Sequence, residues 1–144
     1  MGATGFRASI ECWILRPGPE GVRVLLLHVP SRPGGPRAFW QPITGGIRQG
    51  ETPLEACLRE VREETGLVLA AQDLRLIHPA WEWDVPGPRP RKTIVAAAMR
   101  QGVVRVAPYE HDDGRWVKGD EVERWLYWES NRRTWPVVRR ALLG

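Results

Sequence analysis

Apolar and polar positions alternate along this chain with a period that changes from two to between three and four and back again. Arg7 to Arg16 and Val22 to Val29 are apolar stretches of strand length. Pro17-Gly18-Pro19-Glu20-Gly21 between them is turn chemistry, so the pair predicts a hairpin. Pro30 to Arg37 carries too many Pro and Gly for regular structure and reads as a surface loop. Phe39 to Thr44 predicts a short strand that runs into Gly45-Gly46, where missing Cβ atoms permit close approach of the backbone to another group. The period then lengthens: Leu54, Cys57, Leu58 and Val61 recur at i, i+3, i+4 and i+7. Thr52 can cap this helix, Pro53 suits its first position, Glu55 completes a Thr-x-x-Glu capping box and Gly66 stops it. Leu74 to Trp83 and Thr93 to Arg100 return to strand character on either side of a loop from Asp84 to Lys92, and a further strand is expected over Arg115 to Lys118. From Asp120 onward, Val122, Trp125, Leu126, Val137, Val138 and Leu142 predict two helical segments with a break near Glu129 to Thr134. The sum is one mixed α/β domain over residues 1–144.

Length and composition agree with that picture, since 144 residues with 42% hydrophobic and 26% charged positions suit a single packed core. No apolar run approaches the ~20 residues needed to cross a bilayer, and Met1 to Arg7 lack the apolar core of a secretory signal. A soluble cytoplasmic protein without membrane partners is expected. Cys12 and Cys57 stand in apolar contexts without Cys-x-x-Cys spacing, which predicts buried thiols and neither disulfides nor a zinc site. The net charge of +4 and pI of about 9.7 favour polyanionic ligands. All but Lys92 and Lys118 of the 21 basic residues are arginine, whose planar fork suits phosphate, although a compositional bias would give the same excess.

The chemistry concentrates on the capped helix. At ~100° per residue, Glu60, Glu63 and Glu64 share one flank beside the apolar stripe, and Ala56 leaves space one turn earlier. Like charges so placed repel unless cations neutralise them. Oxygen donors at this density suit hard divalent cations such as Mg²⁺ or Mn²⁺, while a solvated acidic face balanced by Arg59 and Arg62 is the plain alternative.

The carboxylates sit within a longer pattern. Gly45 is followed by five residues and Glu51, then seven residues and Arg59-Glu60-Val61-Arg62-Glu63-Glu64-Thr65-Gly66-Leu67. This resembles the signature box of the Nudix hydrolases at every fixed position. The resemblance implies an α/β/α sandwich with a mixed β-sheet and a divalent-metal-dependent hydrolysis at a diphosphate linkage. It also implies site roles: Glu60 and Glu64 as principal metal ligands, Glu63 as a further ligand or the group that orients water, and Arg59 as the positioner of the carboxylates through Glu51. The Gly45 carbonyl would approach a metal. Glu110, ahead of the last predicted strand in Tyr109-Glu110-His111, resembles the extra carboxylate that several members bring to the metals, as ligand or base. The box leaves the general base open.

Candidate substrate-binding residues lie outside the box. Trp40, Trp81 and Trp83 are candidates for a base-stacking wall, while Trp13, Trp125, Trp128 and Trp135 fall on apolar periodic segments and are expected in the core. Arg37, Arg89, Arg91 and Lys92 are read as loop cations able to hold outer phosphates. His28 and His78 lack ligand spacing and are expected at the core or its rim. Phe39 to Gly46, Glu110-His111, Trp116 and Ser130-Asn131-Arg132 are similar to the branch that includes dATP and dihydroneopterin triphosphate pyrophosphohydrolases. That similarity implies a nucleoside or pterin triphosphate as substrate, cleaved to monophosphate and pyrophosphate by a monomer or homodimer with no DNA partner. Dinucleoside polyphosphates, oxidised dNTPs, ADP-ribose and a triphosphorylated RNA 5′ end remain alternatives. So does a module that binds nucleotide or RNA without turnover.

Overall fold

The computed structural model describes residues 7–83, 86–87, 90–99, 102–107 and 110–143. Arg89, Arg100, Tyr109 and the leading residues 1–6 lie outside the described residues, as do Asp84, Val85 and Pro88 of the predicted loop. Seven strands form one sheet: β1 (Arg7–Gly18), β2 (Gly21–Val29), β3 (Phe39–Gln41), β4 (Ile43–Gly46), β5 (Leu74–Glu82), β6 (Pro90–Ala98) and β7 (Asp113–Lys118). The helices are α1 (Pro53–Thr65), the short α2 (Val122–Trp125) and α3 (Glu129–Leu143). The main order is β3-β2-β1-β6-β5, with β4 on β1 and β7 on β2. All pairings are antiparallel except β1 with β6, which runs parallel from Arg7 beside Pro90 to Leu15 beside Ala98.

The alternation of β1 decides which residues meet which helix. Ile10, Cys12 and Ile14 join Leu25, Leu27, Ile43, Val95 and Ala97 in a core closed by Ala56, Cys57 and Val61 of α1. Trp13 and Leu15 join Val24, Leu26, Ile94, Ala96 and Val117 on the opposite face, closed by Val122, Leu126, Trp135 and Val138 of α2 and α3. The sheet therefore lies between α1 and the C-terminal helices. Cys12 and Cys57 are both fully buried and unbridged. Among the described residues no helix is long and apolar enough to cross a membrane.

Several boundaries differ from the expectation. Pro42 has no N–H to give a ladder, so the strand predicted over Phe39 to Thr44 divides there and its second part reaches Gly46. Strand β6 starts at Pro90, so Arg91 and Lys92 stand on a strand and not on the predicted loop. The break expected near Glu129 to Thr134 is displaced: the helical segments part at Leu126 to Trp128, and Glu129 to Thr134 is the first half of α3. Asn131 and Thr134 are polar yet buried, in line with Trp135 and Val138 on the inner stripe, so polarity there does not mark a break. Trp128, expected in the core, is 41% exposed.

The reason for that polar stripe is Glu11. It lies on the α3 face of β1 with no exposure, and its carboxylate accepts from Trp13 Nε1 (2.9 Å), Lys92 Nζ (3.0 Å), Asn131 Nδ2 (2.7 Å) and Thr134 Oγ1. A charge taken out of water is tolerated when an opposite charge and further donors compensate it. Glu11→Ala would leave the Lys92 ammonium and three donors without their acceptor. The expected cost is about 3 kcal/mol, read as a lower urea midpoint at pH 7. An unchanged midpoint would show that the network contributes nothing to stability.

Candidate functional site

Helix α1 begins as its sequence dictates. Thr52 Oγ1 accepts from Glu55 N, Glu55 Oε1 accepts from Thr52 N in return, and Gly66 ends the helix with φ of 75°. That fixed start sets which residues face the sheet. Gly45 in β4 lies against Glu60 of the helix: a Cβ built there would lie 2.3 Å from Glu60 Cδ, so only glycine leaves Glu60 its place.

Arg59 organises the acidic flank. Its Nε and Nη2 donate to the two oxygens of Glu51 at 2.7 and 2.9 Å, a bidentate pairing of the strongest kind between neutral-pH side chains. Nη1 donates to Glu60 Oε1 at 2.7 Å and to Glu63 Oε2 at 3.4 Å, and Nη2 also reaches the Gly46 carbonyl at 2.9 Å. These bonds hold the Glu51 carboxyl down at about 2, below the usual carboxylate range, with help from the Arg48 N–H. The same partners raise the affinity of Arg59 for its proton. Glu63 is 45% exposed and also faces Arg48 at 3.6 Å.

Glu64 is the opposite case. It is 2% exposed, and burial together with its neighbours Glu60, Glu110 and Glu63 pushes its carboxyl up to about 10. An extended segment brings a second set of groups to it: Arg105 N donates to the Thr65 carbonyl (2.8 Å) and Ala107 N to that of Glu64 (3.3 Å). Glu110 N and His111 N both donate to the Ala107 carbonyl, at 3.2 and 3.0 Å. Ligand atoms of Glu64, Glu110 and His111 lie within 4.8 Å of one another, with His111 Nε2 3.6 Å from Glu64 Oε1. His111 is buried, and that burial lowers its affinity for a proton. Glu64 Oε2 and His111 Nδ1 have no hydrogen-bond partner among the described residues. A carboxylate oxygen orphaned in the interior beside a second carboxylate is a donor set that suits a hard divalent cation.

Beyond Gly45 and Gly46 opens a cavity of about 470 Å³. Its walls include Gln41, Thr44, Trp83, Lys92, Trp128 and Asn131. Lys92 Nζ stands 4.8 Å from the Trp83 ring centroid. Of the tryptophans considered for a stacking wall, Trp83 is in this cavity. Trp81 packs on the α3-side core, and Trp40 packs edge-on against Trp125 at 5.1 Å. Arg37 and Trp40 border a separate depression with Phe39, Arg124 and Tyr127. Arg91 pairs with Glu82 at 3.1 Å. His28 bonds Asp112 at 2.5 Å, and His78 is half-buried, so neither joins the carboxylates. Sequence reasoning passed over Glu11, Asn131 and Trp128 as parts of this region and gave His111 no role of its own.

A raised carboxyl makes a signed prediction. Folded Glu64 keeps its proton up to about 10 while an unfolded glutamate loses it near 4.5, so its contribution to stability is complete below 4.5 and declines as pH rises toward 10. Between pH 7 and 9.5 in chelator, unfolding free energy is expected to fall by up to about 1.4 kcal/mol per pH unit. Glu64→Gln, which cannot ionise, should flatten that slope. Equal slopes in thermal unfolding of the two proteins would remove Glu64 as the cause.

Known proteins share both the domain and the fold. The NUDIX domain model matches residues 5–139. A stretch of 61 residues is 46% identical to the octanoyltransferase of Myxococcus xanthus, covering 42% of this chain and 16% of that protein. Another of 55 residues is 42% identical to the dihydroneopterin triphosphate diphosphatase of Escherichia coli K12, covering 38% of this chain and 34% of that protein. The chain thus spans no more than 34% of the length of these two curated relatives. The solved structure of the E. coli dihydroneopterin triphosphate pyrophosphohydrolase superposes with a TM-score of 0.72 at 25% identity, over 95% of each chain.

Proposed function

Because this chain belongs to the NUDIX domain family, we propose that it hydrolyses a phosphoanhydride bond of a nucleoside or pterin triphosphate, releasing monophosphate and pyrophosphate, with Mg²⁺ or Mn²⁺ as cofactor. The observation that carries this reading is the buried Glu64, its Oε2 without a partner among the described residues, grouped with Glu110 and His111 one helical turn from the Glu60 that packs against Gly45. The likeness to the E. coli dihydroneopterin triphosphate pyrophosphohydrolase supports the triphosphate class.

Glu60 and Glu64 would hold the cation, with Glu110 beside them as a further ligand or as the base, and Glu63 and the Gly45 carbonyl as oxygen donors at the edge of the set. A bound divalent cation supplies charge neutralisation at the phosphate oxygens and lowers the proton affinity of water. The chain's own residues do the rest. Arg59 keeps Glu60 and Glu51 in register and prevents their repulsion from opening the loop before α1. Glu110, exposed where Glu64 is buried, is placed to take a proton from attacking water. Trp83 offers a ring face and Lys92 a positive charge to the remainder of the substrate, whereas Trp40, Trp81 and Arg37 stand outside the cavity. We place the reaction in the cytoplasm, where Cys12 and Cys57 stay reduced.

The test is release of pyrophosphate from deoxynucleoside triphosphates and dihydroneopterin triphosphate with Mg²⁺ or Mn²⁺. Turnover is expected to vanish in chelator and to fall by about 10²–10⁴ in Glu110→Gln if that group is the base. Glu64→Gln should also lose turnover, and with it the cation affinity. Full activity in chelator, or orthophosphate in place of pyrophosphate as the first product, would overturn the reading.

A further inference from the structure

At the floor of the cavity, Asn131 is 1% exposed and held by a single strong partner. Its Nδ2 donates to Glu11 Oε1 at 2.7 Å, and the same oxygen takes Lys92 Nζ at 3.0 Å. The other carboxylate oxygen is already occupied by Trp13 Nε1 and Thr134 Oγ1. An ionised carboxylate only accepts, so the NH₂ end of the Asn131 amide must face Glu11, and the amide cannot turn over without opposing two acceptors. That leaves Asn131 Oδ1 fixed, buried and without a hydrogen-bond partner among the described residues. Phosphate groups are poor matches for this end of the cavity. Phosphate oxygens accept and would oppose Oδ1, and the Trp83 and Trp128 side chains on the walls suit a flat ring.

We propose that Asn131 determines specificity in this cavity: its Oδ1 accepts a hydrogen bond from a ring N–H or amino group of a purine-like heterocycle, and Glu11 is the positioning residue that holds the amide for it. Lys92, on the same Glu11 oxygen, has further N–H donors and is placed to meet an acceptor on that ring. A buried acceptor left unpaired is costly, so a ring without a donor loses affinity where one with a donor gains it. The inference rests on the reading of this cavity as the substrate pocket of a phosphoanhydride hydrolase.

Binding of monophosphates tests it without turnover, so its failure and a failure of hydrolysis are separate results. Calorimetric titrations would compare adenosine, guanosine and inosine 5′-monophosphates with purine riboside 5′-monophosphate, whose ring carries no N–H. At least one donor-bearing ring is expected to bind about tenfold tighter than purine riboside, and Asn131→Ala should reduce that margin to about one. No preference in the unmodified protein, no binding of any of the four, or a margin that survives Asn131→Ala would overturn the proposal. If Asn131→Ala does not fold, the side-chain amide resonance of Asn131 in the unmodified protein decides. It should shift with the preferred nucleotide and stay in place with purine riboside, and a resonance unmoved by either would overturn the proposal equally.

Discussion

One guanidinium makes the acidic flank of α1 possible. Carboxylates at Glu60, Glu63 and Glu64 would repel one another and the nearby Glu51 if no cation lay among them. Arg59 bonds Glu51 through both forks, Glu60 and Glu63 through a third nitrogen, and the Gly46 carbonyl of β4. The loop before the helix, the helix and the strand beneath it are thereby tied to one point. Gly45 completes the arrangement by contributing no side chain where Glu60 must lie. The outcome is a division of labour among chemically identical groups. Glu51 is held ionised by Arg59, whereas Glu64, out of reach of that guanidinium and out of water, is driven toward its neutral form until another cation arrives.

Strand β1 organises the other half of the region by simple alternation. Its even-numbered core residues meet α1 and its odd-numbered ones meet α3, which places Glu11 opposite the carboxylate helix. The glycine strand β4 lies beside β1, with Thr44 in register with Glu11. The glycine strand thus meets Glu60 of α1 at Gly45 and lines the ring-walled cavity with Thr44, Gly45 and Gly46. A substrate with phosphates at one end and a flat heterocycle at the other has the corresponding shape.

The carboxylate helix was legible in the sequence because everything that specifies it is local: cap, box, stripe and stop fall within Thr52 to Gly66. Glu110 was visible as an acid ahead of a strand. His111 was not, because its approach to Glu64 depends on the path of residues 102–107 along the end of α1. Glu11 was hidden for a similar reason. A charge within Ile10-Glu11-Cys12-Trp13 reads as a solvent-facing position, and its partners Lys92, Asn131 and Thr134 are 81, 120 and 123 residues away. The same network explains the misplaced helix break, since Asn131 and Thr134 are polar for the sake of Glu11 and not for the sake of water. The tryptophans divide by tertiary position alone: Trp128 and Trp83 reach the cavity, while Trp81 on the strand beside Trp83 turns to the core.

The most direct measurement is the position of the cation itself. A crystal grown with Mn²⁺ and measured on both sides of the manganese absorption edge would show it as an anomalous peak. The expected peak lies within coordination distance, roughly 2.0–2.3 Å, of carboxylate oxygens of Glu64 and Glu60 or Glu110. A protein saturated with Mn²⁺ whose peak falls elsewhere, or whose Glu64 carboxylate remains uncoordinated, would contradict a hydrolytic site built on that buried group.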